Sequence, residues 1–71
     1  MALKETLATN LRRLRHARRW TQEELAERAG LSARYVGSLE RSKVAASVIV
    51  VERLAAAFEI DPLALLLPRR D

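Results

Sequence analysis

The 71-residue chain contains no cysteine, one histidine, two glycines and only three aromatic side chains. Without thiols the domain cannot be held by disulfides or by a thiolate metal site, and His16 alone cannot supply a histidine-rich metal cluster. No cysteine or paired carboxylate joins His16, and the two separate glycines do not form a phosphate-cradling loop. We therefore expect no enzyme, no metal ion and no cofactor, and a core of aliphatic side chains.

Long apolar runs are missing as well. The longest, SVIVV at 47–51 and LALLL at 63–67, are far shorter than the roughly twenty residues that span a bilayer. The N-terminal stretch MALKETLATNLRR has no apolar segment of the signal-peptide kind. We expect a cytoplasmic protein without a membrane partner, in which residues 1–71 form a single domain with a thin core.

Positive charge dominates the ionisable residues. Thirteen lysines and arginines stand against nine aspartates and glutamates, for a formal net charge of +4, and eleven of the thirteen are arginine. The planar guanidinium suits phosphate groups and base edges, so a polyanion is the natural partner. Arg12 and Arg13 favour a solvated helix face, whereas Arg18 and Arg19 fit contact with a nucleic-acid backbone and solvation equally well.

Leucines spaced by four, four and three residues predict an amphipathic first helix. They are Leu3, Leu7, Leu11 and Leu14. The helix should end near Arg18 and Arg19, whose charge complements the helix dipole. Thr21 and Glu24 form a capping box that starts a second helix at Gln22. Gly30 is suited to the left-handed conformation and should end this helix about two turns later.

Three further capping signals follow along the chain. Ser32 is placed to cap a third helix, Ser47 a fourth, and Asp61 with Pro62 a fifth. The third helix should bury Val36, Leu39 and Glu40 and expose Arg34, Ser38 and Arg41. The inward residues of the fourth should be Val48, Val51, Leu54, Ala55 and Phe58. No stretch alternates as a strand does, so the sequence predicts an all-α domain of five helices with a frayed tail at 69–71.

Two short helices joined by the turn Gly30, Leu31 and Ser32 are typical of a helix-turn-helix, whose second helix enters the major groove of DNA. The stretch QEELAERAGLSARYVGSLER at 22–41 resembles the DNA-reading unit of the phage repressor and Cro-like (XRE) family. The flanks LRRLRHARRWTQ and ERLAAAFEIDPLALL resemble its other helices, and YVGSLER is similar to restriction-modification controllers. The resemblance implies a lambda-repressor-like fold that binds double-stranded DNA as a small repressor or controller of transcription.

The resemblance also implies roles for individual residues. The base-reading positions match Ala33, Arg34, Tyr35 and Ser38, and the DNA-backbone positions match Gln22, Arg41 and Lys43. Arginine suits guanine and a small apolar group suits the thymine methyl. Tyr35 fits either DNA contact or packing, and Gly37 fits either a close approach of the DNA backbone or a neutral substitution. Arg15 and Glu40 match an ion pair that joins the first and third helices of phage repressors, which would explain a glutamate on an inward face.

Two features depart from the family pattern. Ser42 stands where a glycine is common, and the following residues are apolar where relatives tend to be polar. An apolar surface on so short a chain indicates a partner. We expect a twofold homodimer on a palindromic operator. The expected interface consists of Val44, Ala46, Ile49, Val50, Leu63 and Leu67.

The apolar residues leave two alternatives open. The leucines at 63–67 can instead cap the core. A different protein can occupy the apolar surface, in which case the domain is an antitoxin or a protein-interaction module built on a helix-turn-helix scaffold. No effector pocket is visible in the sequence, so we expect regulation through protein concentration and dimerisation, with the protein associated with the nucleoid through DNA.

Overall fold

The computed structural model describes residues 2–69, which form five α-helices and no strand. The helices are α1 (Leu3–Ala17), α2 (Gln22–Ala29), α3 (Ala33–Glu40), α4 (Val48–Phe58) and α5 (Pro62–Leu66). None of these described helices has the length and apolar character needed to cross a membrane. The predicted all-α architecture of five helices is confirmed, while residues 70 and 71 of the predicted tail lie outside the described residues.

Four of the helices begin at the side chains that the sequence predicted. An oxygen of Thr21, Ser32, Ser47 or Asp61 accepts a hydrogen bond from a backbone N–H of the first turn, at 3.0, 3.1, 3.2 and 2.9 Å respectively. At α2 the Glu24 carboxylate also accepts from the Thr21 N–H, which completes the capping box. These bonds satisfy amides that a helix start leaves unpaired, so each of these boundaries follows from local chemistry.

Left-handed residues end the first four helices, although only one of them is glycine. They are Arg19, Gly30, Ser42 and Glu59. After α3 the Lys43 N–H donates to the Ser38 carbonyl at 2.9 Å, and the Ser42 N–H donates to the Leu39 carbonyl at 3.1 Å. This pair of bonds is the Schellman pattern, in which the residue after the helix takes a positive φ. Ser42 adopts it with a φ of 58° and so closes α3 without the glycine that is common there.

The core lies between the five helices and is aliphatic apart from one aromatic ring. Its largest fully buried apolar side chains are Leu11, Leu25, Val36, Leu39, Leu54, Phe58 and Leu65. Along α1 the predicted stripe is buried at Leu7, half-buried at Leu14 and exposed at Leu3, where the helix begins. The inward face predicted for α3 is confirmed, since Val36, Leu39 and Glu40 are all buried.

The predicted inward face of α4 is wrong at one residue. Val51, Leu54, Ala55 and Phe58 are buried, but Val48 is 78% exposed. Val48 lies on the same side of the helix as Val51, one turn earlier. At that position it lines an open groove and does not pack against a neighbouring helix. Spacing determines which face of a helix a residue occupies, whereas burial also requires another element to cover that end of the face.

A buried amide ties α5 to α1. Asn10 is only 2% exposed, and its Nδ2 donates to the carbonyl of Leu65 at 2.7 Å and to that of Leu67 at 3.0 Å. These carbonyls belong to the end of a helix that is five residues long and would otherwise leave acceptors without donors. Asn10 therefore holds the C-terminal end of α5 against the middle of α1.

Trp20 and Phe58 pack on each other where α1 and α4 end. Their ring centroids are 5.3 Å apart and their planes differ by 16°. The Arg28 guanidinium lies 4.4 Å from the centre of the Trp20 ring, and Arg18 donates to the Phe58 carbonyl at 2.7 Å. Both aromatic rings are thus engaged in joining helix ends.

Candidate nucleic-acid interface

α2 and α3 are short helices joined by a turn of three residues. Gly30 closes α2 with a φ of 70°, and the Leu31 N–H donates to the Ala26 carbonyl at 2.8 Å. Ser32 then opens α3, because its hydroxyl oxygen accepts from the Tyr35 N–H at 3.1 Å. The turn therefore ends one helix and starts the next within three residues. This is the helix-turn-helix geometry, in which the second helix is presented to the major groove.

Four residues of α3 match base-reading positions, and they differ in exposure. Arg34 is exposed, and its side chain forms no hydrogen bond or ion pair within residues 2–69. Ser38, four residues later on the same face, is half-buried. Ala33 and Tyr35 are half-buried and pack against the core. Tyr35 therefore divides its surface between the core and solvent.

The residues matched to DNA-backbone contacts lie at the ends of the two helices. Gln22 is the half-buried first residue of α2, Arg41 is exposed directly after α3, and Lys43 is exposed two residues further on. Arginine, lysine and amide side chains at such positions are donors to phosphate oxygens. Across residues 2–69, no three His, Cys, Asp or Glu side chains are grouped as metal ligands would be.

Glu40 is the centre of the contacts that hold α3. Its side chain is 3% exposed, and its carboxylate accepts from Arg15 Nε at 2.7 Å and from Arg15 Nη2 at 2.9 Å. Gln22 Nε2 donates to the same carboxylate at 3.1 Å, and the Arg12 guanidinium donates to the Glu40 carbonyl oxygen. The ion pair implied for Arg15 and Glu40 is thus present, and both α1 and α2 bind the last residue of α3.

These contacts determine the charge of Glu40. Burial alone would raise the pKa of the carboxyl, but the hydrogen bonds from Arg15 and Gln22 and the charge of Arg15 outweigh burial and lower the pKa below its ordinary value of 4.5. The same hydrogen bond shifts the other partner in the opposite direction, and it raises the pKa of Arg15. Both groups are therefore ionised at neutral pH, and α3 is anchored by a charge-assisted, two-pronged contact.

Exposed apolar side chains are concentrated at the start of α1, the loop before α4, the start of α4, and α5. They are Leu3, Val44, Val48, Ile49, Leu63 and Leu67. Among them an open groove of about 390 Å³ is lined by Leu3, Val48, Leu66 and neighbouring residues. We call these six side chains and the groove the α4–α5 patch. Two of the residues predicted for a dimer interface, Ala46 and Val50, are not among these exposed side chains but are half-buried against the core. Leu66, which lines the groove, is half-buried against the core as well.

Comparison with known proteins identifies the family. A family model described as helix-turn-helix matches residues 11–65. The chain belongs to this helix-turn-helix family. A hypothetical transcription factor of Neisseria meningitidis serogroup B is 38% identical to the helix-turn-helix protein over 69 residues, which are 97% of the chain but 65% of that relative. An uncharacterised HTH-type transcriptional regulator of Sinorhizobium fredii is 35% identical over 68 residues, which are 96% of the chain and 88% of the regulator.

A solved structure leads to the same family. The helix-turn-helix protein is similar to the crystal structure of the restriction-modification controller protein C.AhdI from Aeromonas hydrophila, with a TM-score of 0.85 and 37% identity over 92% of this chain and 98% of that one. The resemblance to XRE-family regulators and to controllers is therefore confirmed, together with the fold that it implied. This is the fold of DNA-binding regulators and not that of an enzyme family.

Arg15, Arg12 and Gln22 bind Glu40, and we call this set of contacts the Glu40 anchor. Two of its members, Arg12 and Gln22, were not identified from the sequence. Arg12 is exposed, as expected of a solvated face, but it lies three residues before Arg15, faces the same neighbouring helix and also donates to the Glu40 carbonyl. That spacing was a usable signal. Gln22 was matched to a phosphate contact, and its bond to Glu40 joins residues 18 apart in the chain, for which no local pattern exists.

Proposed function

We propose that this helix-turn-helix protein is a dimeric, sequence-specific regulator of transcription that binds double-stranded DNA as a repressor or controller. The observation that carries the proposal is an exposed arginine without a partner among residues 2–69, on a helix whose far end is anchored by two other helices. A fixed helix that presents a free guanidinium is suited to reading base edges. The relatives named as transcription factors, and the controller of similar structure, support the same function.

In this proposal the exposed face of α3 enters the major groove and reads bases. Arg34 donates two hydrogen bonds to O6 and N7 of a guanine, which is the contact that its planar fork fits best. Ser38 accepts or donates to several bases, and the Ala33 methyl group contacts a thymine methyl. Tyr35 contributes the part of its ring that the core leaves exposed. These four residues set the sequence of a half-site.

Contacts with the DNA backbone supply most of the affinity. Gln22, Arg41 and Lys43 donate to phosphate oxygens along the rim of α3, and these contacts are the same for every sequence. Because each neutralised phosphate releases counterions, binding should weaken steeply as salt is raised. Phosphate contacts therefore determine how tightly the protein binds, while α3 determines where.

A twofold homodimer would place two reading helices on one palindromic operator. One helix-turn-helix of this size makes few contacts, and half-sites about 34 Å apart allow two copies to bind together. The interface that we propose is formed by Val44, Ala46, Ile49, Val50, Leu63 and Leu67. Exposed apolar side chains in the α4–α5 patch support this choice. Regulation then runs through protein concentration without a small-molecule effector, and the protein resides with DNA in the cytoplasm.

A second candidate function is favoured by the groove of the α4–α5 patch. Its lining is mostly apolar, with Leu3, Val48 and Leu66 among its residues beside the charged Lys4 and Glu52, and such a groove suits an apolar segment of a different protein. The domain would then act as an antitoxin or a protein-interaction module on a helix-turn-helix scaffold. The two functions differ in what binds first, a DNA duplex or a protein.

Selection of bound duplexes from a random pool tests the proposal, followed by titration of the selected site at two salt concentrations. We expect a palindromic site with half-sites about one helical turn apart, bound cooperatively. Binding that is sensitive to salt but equal for all sequences would contradict sequence-specific regulation. It would favour the protein-interaction module, which is tested by pull-down with substitutions in the α4–α5 patch.

Substitution of Arg34 by alanine should weaken binding to the selected site by about 1–3 kcal/mol and relax the preference at one base pair. The reason is that only the wild-type side chain donates two hydrogen bonds to guanine. Lys43→Ala is the matched control, and it should weaken selected and scrambled duplexes alike. Fluorescence anisotropy with both duplexes measures the ratio. An unchanged ratio for Arg34→Ala would refute the assignment of this residue to base reading.

A further inference from the structure

Gly37 occupies the middle of α3, where glycine is unfavourable. The helix is only eight residues long, and glycine in a helix interior destabilises it by roughly 1 kcal/mol relative to alanine. The backbone gives no reason for glycine there, because Gly37 is not among the residues of 2–69 with a positive φ. A reason has to come from the space that its missing side chain leaves.

Two polar side chains occupy that space. A Cβ atom added at Gly37 would lie 3.1 Å from Nη1 of Arg41, 3.3 Å from Oε1 of Gln22 and 3.7 Å from Nε2 of Gln22. Arg41 is four residues later, so its side chain folds back over the preceding turn of α3. The Gln22 side chain extends from the start of α2, and its Nε2 donates a hydrogen bond to the Glu40 carboxylate. The two side chains thus converge over one residue of the helix.

The convergence leaves hydrogen-bond donors available. Gln22 Nε2 uses one hydrogen for Glu40, and its second has no acceptor within residues 2–69. The Arg41 side chain is exposed and likewise has no hydrogen-bond partner or ion pair in the described chain. A cationic guanidinium beside a fixed amide donor suits a single phosphate, which accepts charge-assisted hydrogen bonds from both.

We propose that Gly37 is a positioning residue: its missing side chain lets Gln22 and Arg41 come together as one binding site for a single DNA phosphate. The inference rests on the proposed function, and it gives a different explanation of Gly37 from a close approach of the DNA backbone. Gly37 does not admit the DNA backbone to the helix surface. It leaves space for the side chains of Gln22 and Arg41, and these two side chains bind the DNA phosphate.

Gly37→Ala separates this role from a structural one. The added methyl should displace the ends of two flexible side chains by a few tenths of an ångström, while alanine favours the helix. We therefore expect Tm to rise or stay unchanged, and affinity for the selected duplex to fall about tenfold. Because the lost contact is to phosphate, affinity for a scrambled duplex should fall by the same factor, and the slope of log affinity against log salt should decrease by about one.

Two backgrounds control the experiment. In a protein that already carries Gln22→Ala and Arg41→Ala, Gly37→Ala should cause no further loss of affinity. In a Lys43→Ala protein the full loss should persist, since no atom of Lys43 is among the three nearest to a Cβ added at Gly37. Equal losses in both backgrounds, or wild-type affinity of Gly37→Ala alone, would overturn the positioning role and leave the proposed function standing. Failure of the wild-type protein to bind any duplex would overturn both.

Discussion

The protonation of Glu40 is coupled to the packing of three helices. Its carboxylate is buried against Arg15 and Gln22, and the contacts that keep it ionised also join α1 and α2 to α3. Protonation would remove the ion pair and leave the half-buried Arg15 guanidinium without its counter-charge. Folding and acidity are therefore coupled through one side chain.

The free energy of unfolding should fall in acid. The pKa of Glu40 is lower in the folded protein than in the unfolded chain, so the unfolded chain takes up the proton first. The stabilisation is present at neutral pH, begins to decrease near the ordinary value of 4.5, and is lost as the pH falls through the folded pKa. Urea denaturation between pH 7 and pH 3 measures it.

Glu40→Gln is the control for that pH dependence. It should lower the free energy of unfolding at neutral pH by about 2–4 kcal/mol, because the ion pair with Arg15 is broken. It should also flatten the decrease in acid. A Glu40→Gln protein whose stability changes with pH as steeply as that of the wild type would assign the acid sensitivity to other carboxylates.

Ser42→Gly should stabilise the protein by about 0.5–1 kcal/mol, because glycine adopts a positive φ without the steric cost that serine meets there. Thermal unfolding measures the gain. Gly30→Ala is the reverse control. The added Cβ would meet nothing nearer than 3.9 Å, so it would not clash, but a residue with a side chain is strained at a φ of 70° and the substitution should be destabilising. A loss of stability in Ser42→Gly would mean that its hydroxyl matters more than its backbone.

At the scale of helices, the starts of four elements could be predicted because each is decided by a residue within three positions of the boundary. Thr21, Ser32, Ser47 and Asp61 are all observed as caps. Val48 and Asn10 could not be predicted in the same way. Val48 is exposed because no other described element covers the start of α4 on that side. The role of Asn10 depends on carbonyl groups more than 50 residues away in the chain.

The candidate site shows the same division between local and distant information. The helix-turn-helix and the Arg15–Glu40 pair were accessible through the family pattern, which summarises a known three-dimensional arrangement. The contact of Gln22 with Glu40, and the space above Gly37, depend on how particular side chains cross between helices. Periodicity gives the face on which a residue lies, and it gives no information on these crossings.

Asn10→Leu should lower the free energy of unfolding by about 2–3 kcal/mol. Leucine has a similar size but no donor, so the carbonyls of Leu65 and Leu67 would be left without the hydrogen bonds that Asn10 supplies. Urea denaturation provides the measurement. Thr9→Ala, at an exposed neighbour on α1, should change stability by no more than about 0.5 kcal/mol. Comparable effects of the two substitutions would contradict the tether.

At the scale of the whole molecule, two surfaces differ in chemistry. α3 and its ends carry the free guanidinium of Arg34 together with Arg41 and Lys43, whereas the α4–α5 patch is apolar. The charged surface that we propose binds DNA and the apolar surface that we propose binds a second copy share no residues. Association of copies should therefore be separable from DNA reading by mutation.

Ile49→Glu should convert the expected dimer into a monomer of 8.0 kDa, because a charge would be buried at the interface. Sedimentation equilibrium at tens of micromolar measures the mass. Ala17→Glu places the same charge at an exposed residue of α1 outside the patch and should leave the dimer intact. A wild-type protein that stays monomeric with and without operator would refute the dimer.

The Glu40 anchor has a consequence for how such proteins acquire new targets. α3 is held by its final residue, through Arg15, Arg12 and Gln22, and none of these bonds involves the side chains of Arg34 or Ser38. The contacts that hold the helix are thus separate from the side chains of Arg34 and Ser38, which we propose read the bases. Exchanging residues 34 and 38, while keeping the anchor and the core-packed Ala33 and Tyr35, should retarget the protein to another operator without altering its scaffold.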